Sequence, residues 1–103
     1  TRSGDLFQYQ ALRVIFGQNL PPISANNSLI GHAKGASSAI DTVLALEGMA
    51  RDMLPPTINP TPDPQLPVDC VAEGARQVDQ RYVLKNSFGF GGCNACIVLR
   101  KAL

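Results

Sequence analysis

The sequence predicts one α/β domain over residues 1–103. Two stretches carry apolar residues at helical spacing, three short apolar runs read as strands, and a proline-rich segment between them excludes helix. The first helix is expected over about residues 6–16. Asp5 suits its N-cap with Gln8 completing a capping-box variant, Phe7, Ala11, Val14 and Ile15 recur on one face, and Gly17 is a C-terminal stop. Pro21 and Pro22 break that pattern, so Ile23-Ser24-Ala25 reads as a short strand running into a polar turn at Asn26-Asn27-Ser28. A long helix follows over about residues 34–53. Ala36, Ala39, Ile40, Val43, Leu44, Leu46, Ala50 and Met53 spread around most of its circumference, which predicts a largely buried helix. Pro55-Pro56 ends it, Thr57-Ile58-Asn59 is expected to be extended, and residues 60–67 with their four prolines form a surface loop. Strands are expected at Pro67–Ala72, Tyr82–Lys85 and Cys93–Arg100.

Composition narrows the function. The formal charge is +1 and the basic residues are scattered, so neither nucleic acid nor an anionic membrane is expected as a partner. No apolar run approaches the roughly 20 residues that span a bilayer, and no signal-peptide pattern is seen; the expectation is a cytoplasmic protein. The chain opens Thr1-Arg2-Ser3-Gly4-Asp5 without an initiator methionine, as a fragment or a processed chain would. Three cysteines do not make a disulfide scaffold. Cys93 and Cys96 form a C-x-x-C, but on a strand they would point to opposite faces, and only Cys70 and His32 remain as further ligands. No metal site is expected, and the cysteines read as small buried apolar residues.

Two features could carry chemistry. His32, the single histidine, lies between Gly31 and Gly35 just before the long helix. The positive end of a helix dipole disfavours an imidazolium, so a neutral N–H donor is expected, suited to a developing enolate or a polarised thioester carbonyl. A structural histidine that caps the helix is the plainer alternative. The second feature is Asn86-Ser87-Phe88-Gly89-Phe90-Gly91-Gly92-Cys93-Asn94. A phosphate loop would precede a helix and carry a lysine, and this one precedes a strand and carries none. A tight hairpin and a cavity wall built from the two phenylalanines are both open readings.

Four stretches, in order, resemble the C-terminal part of the β-ketoacyl-carrier-protein synthases, elongating condensing enzymes of the thiolase-like superfamily. They are Gly4-Asp5 opening a helix that closes Ile15-Phe16-Gly17, then Asn27-Ser28-Leu29-Ile30-Gly31-His32 with Gly35-Ala36. Leu54-Pro55-Pro56-Thr57-Ile58-Asn59 with Asp63-Pro64 and the Asn86–Asn94 stretch complete the set, so that the resemblance covers essentially the whole chain. It implies part of the C-terminal half of a thiolase-like α-β-α-β-α fold, with a mixed sheet and a buried helix. It also implies decarboxylative Claisen condensation of acyl and malonyl thioesters, in fatty acid or polyketide synthesis. The nucleophilic cysteine of the family belongs to the first half, and none of Cys70, Cys93 or Cys96 takes its place. By resemblance, His32 is the catalytic histidine that binds the malonyl thioester carbonyl, Thr1 contacts the phosphopantetheine arm, and Phe88 and Phe90 are aromatics of the mobile loop that gates the acyl pocket. No cofactor is expected on the protein itself, the substrates riding on the phosphopantetheine of acyl carrier protein. The implied partners are acyl carrier protein, the N-terminal half of the synthase, and a second subunit in a homodimer or heterodimer.

One position departs from the pattern. Asn27 stands where the family usually has a lysine of the polar network behind the histidines, and asparagine brings no charge. The departure lowers the expected decarboxylation activity or marks a non-catalytic, chain-length-factor-like partner subunit.

Overall fold

A computed structural model describes residues 1–102, so the last residue of the predicted domain, Leu103, lies outside the described residues. Helix α1 spans Arg2–Phe16, α2 Asn27–Ile30 and α3 Ser37–Arg51; the strands are β1 Met53–Leu54, β2 Arg76–Gln77, β3 Tyr82–Phe88 and β4 Asn94–Arg100. The first helix begins four residues before its expected start. Thr1, not Asp5, is the N-cap, its Oγ1 accepting from the Gly4 N–H at 3.0 Å. Asp5 lies in the first turn, where its charge favours the helix dipole. Gly17 closes α1 at φ 61°, with its N–H on the Arg13 carbonyl.

The expected polar turn at residues 26–28 is instead the start of α2, which three cross-chain hydrogen bonds fasten. Ser24 Oγ donates to the Pro55 carbonyl at 2.7 Å, the Ala25 N–H to Thr57 Oγ1 and the Ile58 N–H to Ser28 Oγ, both at 3.0 Å. Because side chains make these bonds, residues 23–25 and 57–59 run side by side without forming a strand ladder. The strand expected at Pro67–Ala72 is also absent. Asp69 Oδ1 accepts the Val71 N–H at 3.2 Å and Val71 adopts φ 54°, which turns the backbone out of extended geometry. Single bonds from Ile23 N–H to the Asp69 carbonyl and from Thr57 N–H to the Val71 carbonyl are what remain of pairing there. Arg76 clamps the same turn between Asp69 and Glu73, which holds both carboxyls below their usual range.

Among the described residues the strands form two separate antiparallel pairs rather than the mixed sheet expected. β1 pairs with β2, and β3 pairs with β4 in the register Tyr82↔Arg100 through Phe88↔Asn94. The second pair is a hairpin closed by residues 89–93, and so short a connection permits only antiparallel strands. Strand β3 runs three residues beyond its expected end, so that Asn86, Ser87 and Phe88 belong to the ladder. Gly91 and Gly92 turn the chain at φ 76° and 78°, where glycine is favoured. The three cysteines are free, with Cys93 and Cys96 exposed rather than buried, and no group of three His, Cys, Asp or Glu among the described residues could hold a metal. No helix among them is long and apolar enough to cross a membrane.

α3 packs against β3 and β1. Its expected burial is realised at Met49 alone; Val43 and Leu46 are 58% and 50% exposed. The buried apolar side chains are Leu12, Met49 and Val71. The accessible surface is 7560 Å² for 11.0 kDa, against about 5,600 Å² for a folded monomer of that mass. Much of the excess is apolar, on the outer faces of α1 and α3 and on β4.

The end of α3 shows how the pieces are tied. Asp52 caps the helix in the left-handed region at φ 51°, a conformation that costs a non-glycine residue energy. Lys101 Nζ holds both its carboxylate oxygens at 2.9 Å, and the Gln80 N–H donates to Oδ1 at 3.2 Å. These bonds, the lysine first, lower the Asp52 pKa below its ordinary value of 3.8. A carboxyl depressed in the folded state stabilises the fold above the unfolded pKa, and that contribution is lost as pH falls through the folded value. Asp52→Asn is therefore expected to lower the melting temperature at neutral pH, with the gap to wild type closing as pH falls below 3.8. Melting curves across that range check it; a gap that does not change with pH would contradict the assignment.

Candidate functional site

A cleft of about 390 Å³ opens between the α2–α3 junction and the end of β3. Gly31 terminates α2 at φ 78° and ψ 171°, a left-handed backbone favouring glycine, and this reversal sets His32 at the cleft. Residues 34–36 then make one 3-10 turn before α3 begins. Ser37, the first residue of α3, places its Oγ 3.2 Å from His32 Nδ1. In the tautomer in which the serine hydroxyl donates to Nδ1, the ring proton is on Nε2 and the imidazole offers an N–H donor there; in the other tautomer Nδ1–H donates to the serine oxygen. The hydrogen bonds that fasten α2 to residues 55–58 thus also fix the approach to His32.

Asn27 and Ile30 of α2, Ser38 and Asp41 of α3, and Asn86 and Phe88 of β3 line the cleft with His32. Three of the sequence-predicted residues, His32, Asn27 and Phe88, therefore meet around one space. The other two do not. Thr1 is exposed and spends its hydroxyl acceptor on the α1 cap. Phe90 sits at the hairpin tip with its ring fully in solvent, and outside the cleft lining. Three successive residues turn the backbone at that tip, which carries Phe90 past the cleft while the β3 ladder holds Phe88 in place.

The sequence reading missed four polar residues here. Ser37 touches the histidine, and Lys85, Ser38 and Ser87 form a hydrogen-bonded cluster at the α3–β3 contact. Lys85 and Ser87 lie two apart on a strand and so share a face, a period visible once β3 is extended to Phe88. Nothing in the sequence placed that face against the first turn of α3.

The family model of the beta-ketoacyl synthase C-terminal domain matches residues 1–61, which contain α1, α2, His32 and all of α3. The chain belongs to this family. Its relatives include the 3-oxoacyl-[acyl-carrier-protein] synthase 2 of Mycobacterium tuberculosis, 38% identical over 98 residues that make up 94% of this chain and 24% of that protein. The synthase of the same name from Mycobacterium leprae is also 38% identical, over 94% of this chain and 23% of its own length. Among solved structures, the beta-ketoacyl synthase chain resembles "The ishigamide ketosynthase/chain length factor" with a TM-score of 0.87 and 34% identity, covering 91% of this chain and 24% of that one. It resembles equally, at TM-score 0.87 and 31% identity over 92% of this chain and 24% of the other, a type II PKS acyl-carrier protein in complex with its ketosynthase bound to the hexaketide. The chain thus spans about a quarter of the length of the curated relatives it matches. Its fold is that of part of a thiolase-like condensing enzyme, a mixed α/β piece with three helices and two antiparallel strand pairs among the described residues.

Proposed function

We propose that this chain supplies the carbonyl-polarising side of a decarboxylative condensing site on a 3-oxoacyl-carrier-protein synthase. The observation that carries the reading is the convergence of His32, with Nδ1 engaged by Ser37, and Phe88 on one cleft in a chain of this family. In the reaction, the bond between the malonyl α-carbon and its carboxylate breaks and CO2 leaves. The electron pair passes to an enolate, whose oxygen receives a hydrogen bond from His32 Nε2–H. The enolate carbon then attacks an acyl thioester held on a nucleophile supplied by the rest of the protein, and the thiolate leaves. Phe88 borders the space for the acyl chain. Thr1 and Phe90, away from the cleft in this chain, are assigned to the pantetheine arm and to a mobile gate by resemblance alone. The excess apolar surface on α1 and α3 suits burial against the remaining three quarters of such an enzyme. Acyl carrier protein and a second synthase subunit are the partners this reading requires, and the cytoplasm is its compartment.

A second reading, a non-condensing subunit paired with an active synthase, is favoured by Asn27. This neutral residue lines the cleft at the position where the family usually carries a lysine. Release of CO2 from a malonyl thioester by the full-length protein separates the two.

A further inference from the structure

The cluster of Lys85, Ser38 and Ser87 lies on the cleft that holds His32 but has no part in the chemistry assigned above. The Lys85 ammonium donates to Ser38 Oγ and, at 2.6 Å, to Ser87 Oγ, and the two hydroxyls stand 2.9 Å apart. Among the described residues the lysine takes part in no ion pair. Ser38 and Ser87 line the cleft, with the half-buried Lys85 joined to both.

A proton count shows what this arrangement offers. An ammonium carries three donors and no acceptor, and each hydroxyl carries one donor. Two ammonium protons and one hydroxyl proton satisfy the three bonds within the cluster. The hydroxyl that accepts from both neighbours keeps its own proton free, and the adjacent cation strengthens it as a donor. The cluster therefore has two surplus donors, that hydroxyl proton and the third ammonium proton, and no charged acceptor of its own, which is complementary to an oxygen with free lone pairs. A carboxylate bound there would be stabilised before CO2 loss more than during it, which opposes decarboxylation. A neutral carbonyl oxygen carries no such penalty.

We propose that Lys85, Ser38 and Ser87 form an oxygen-binding subsite that receives a chain carbonyl of the acyl thioester, so that the cleft prefers 3-oxoacyl to fully reduced acyl groups. The proposal rests on the thioester reading of the cleft given above. Lys85 is a positioning residue, acting through the two serines.

The test is binding of acetoacetyl-pantetheine and butyryl-pantetheine, which differ by one carbonyl in place of a methylene, to the full-length protein that carries this chain. Affinities come from calorimetry, and the His32 ring signals in NMR spectra report occupancy of the cleft. The oxo ligand is expected to bind about tenfold more tightly. Ser87→Ala and Lys85→Met are each expected to reduce that preference to less than twofold while leaving the affinity for butyryl-pantetheine unchanged. Ser38→Ala serves as a further variant should Lys85→Met fail to fold. Equal affinities in the wild type, or a preference that survives the serine substitutions, would overturn the subsite and leave the thioester reading standing. If neither ligand moves the His32 signals, the thioester reading falls and the subsite with it.

Discussion

His32→Ala in the full-length protein is expected to lower kcat for condensation by about 10²–10³-fold, with KM for the malonyl thioester changed little. Gly31 reverses the chain at the end of α2, hydrogen bonds between residues 24–28 and residues 55–58 anchor the start of that helix, and Ser37 contacts the ring at Nδ1. The donor at Nε2 is then prepaid in position, and it meets a full negative charge only once CO2 has left. An interaction stronger in the transition state than in the bound substrate lowers kcat when removed, whereas one equal in both would raise KM. His32→Gln, which keeps an N–H donor, is expected to retain more activity than alanine. Steady-state kinetics of 3-oxoacyl product formation check both, and a pure KM effect would assign His32 to binding instead.

Met49→Ala carries the largest expected loss of stability, about 2–5 kcal/mol. Met49 is 4% exposed on the face of α3 near β1, and few side chains in this chain are as well covered. Typical domains have only about 5–15 kcal/mol of stability in all, so a chain with so few buried apolar residues should lose a large share. The neighbouring residue shows how tight the region is: a Cβ on Gly48 would lie 2.7 Å from the Met53 carbonyl oxygen. Urea titration of the wild-type and variant chains measures the difference, and a shift under about 0.5 kcal/mol would show that this contact does not hold α3.

Much of this was legible in the residues. The α1 helix, the Gly17 stop, the Pro55-Pro56 break and the strand character of residues 82–85 and 93–100 all translate into structure, with ends displaced by a few residues, although Phe7, Val14 and Ile15 of the α1 pattern are exposed and Leu12 is the residue it buries. Where the reading failed, a competing local bond is the reason. Asp5 has the side chain of a cap, but Thr1, four residues earlier, accepts the Gly4 N–H and takes that place. Residues 67–72 have strand composition, but Asp69 captures the Val71 N–H and bends them away. The apolar circumference of α3 was real and its burial was not, because covering a helix depends on surfaces that its own sequence does not contain. At the site, His32, Asn27 and Phe88 were found because each stands in a motif. Ser38, Lys85 and Ser87 were not, because the contact between the first turn of α3 and the end of β3 joins positions 47 and 49 residues apart; Ser37, five residues after His32, meets it only because of the chain reversal at Gly31.

The central claim is that His32 polarises a malonyl thioester during decarboxylation, and CO2 release from a malonyl thioester labelled in its carboxylate tests it most directly. With the full-length protein and an acyl thioester present, the account predicts saturable release matched mole for mole by 3-oxoacyl product, and nearly abolished by His32→Ala. Release no faster than from the thioester alone in buffer would contradict it and support a non-condensing partner subunit.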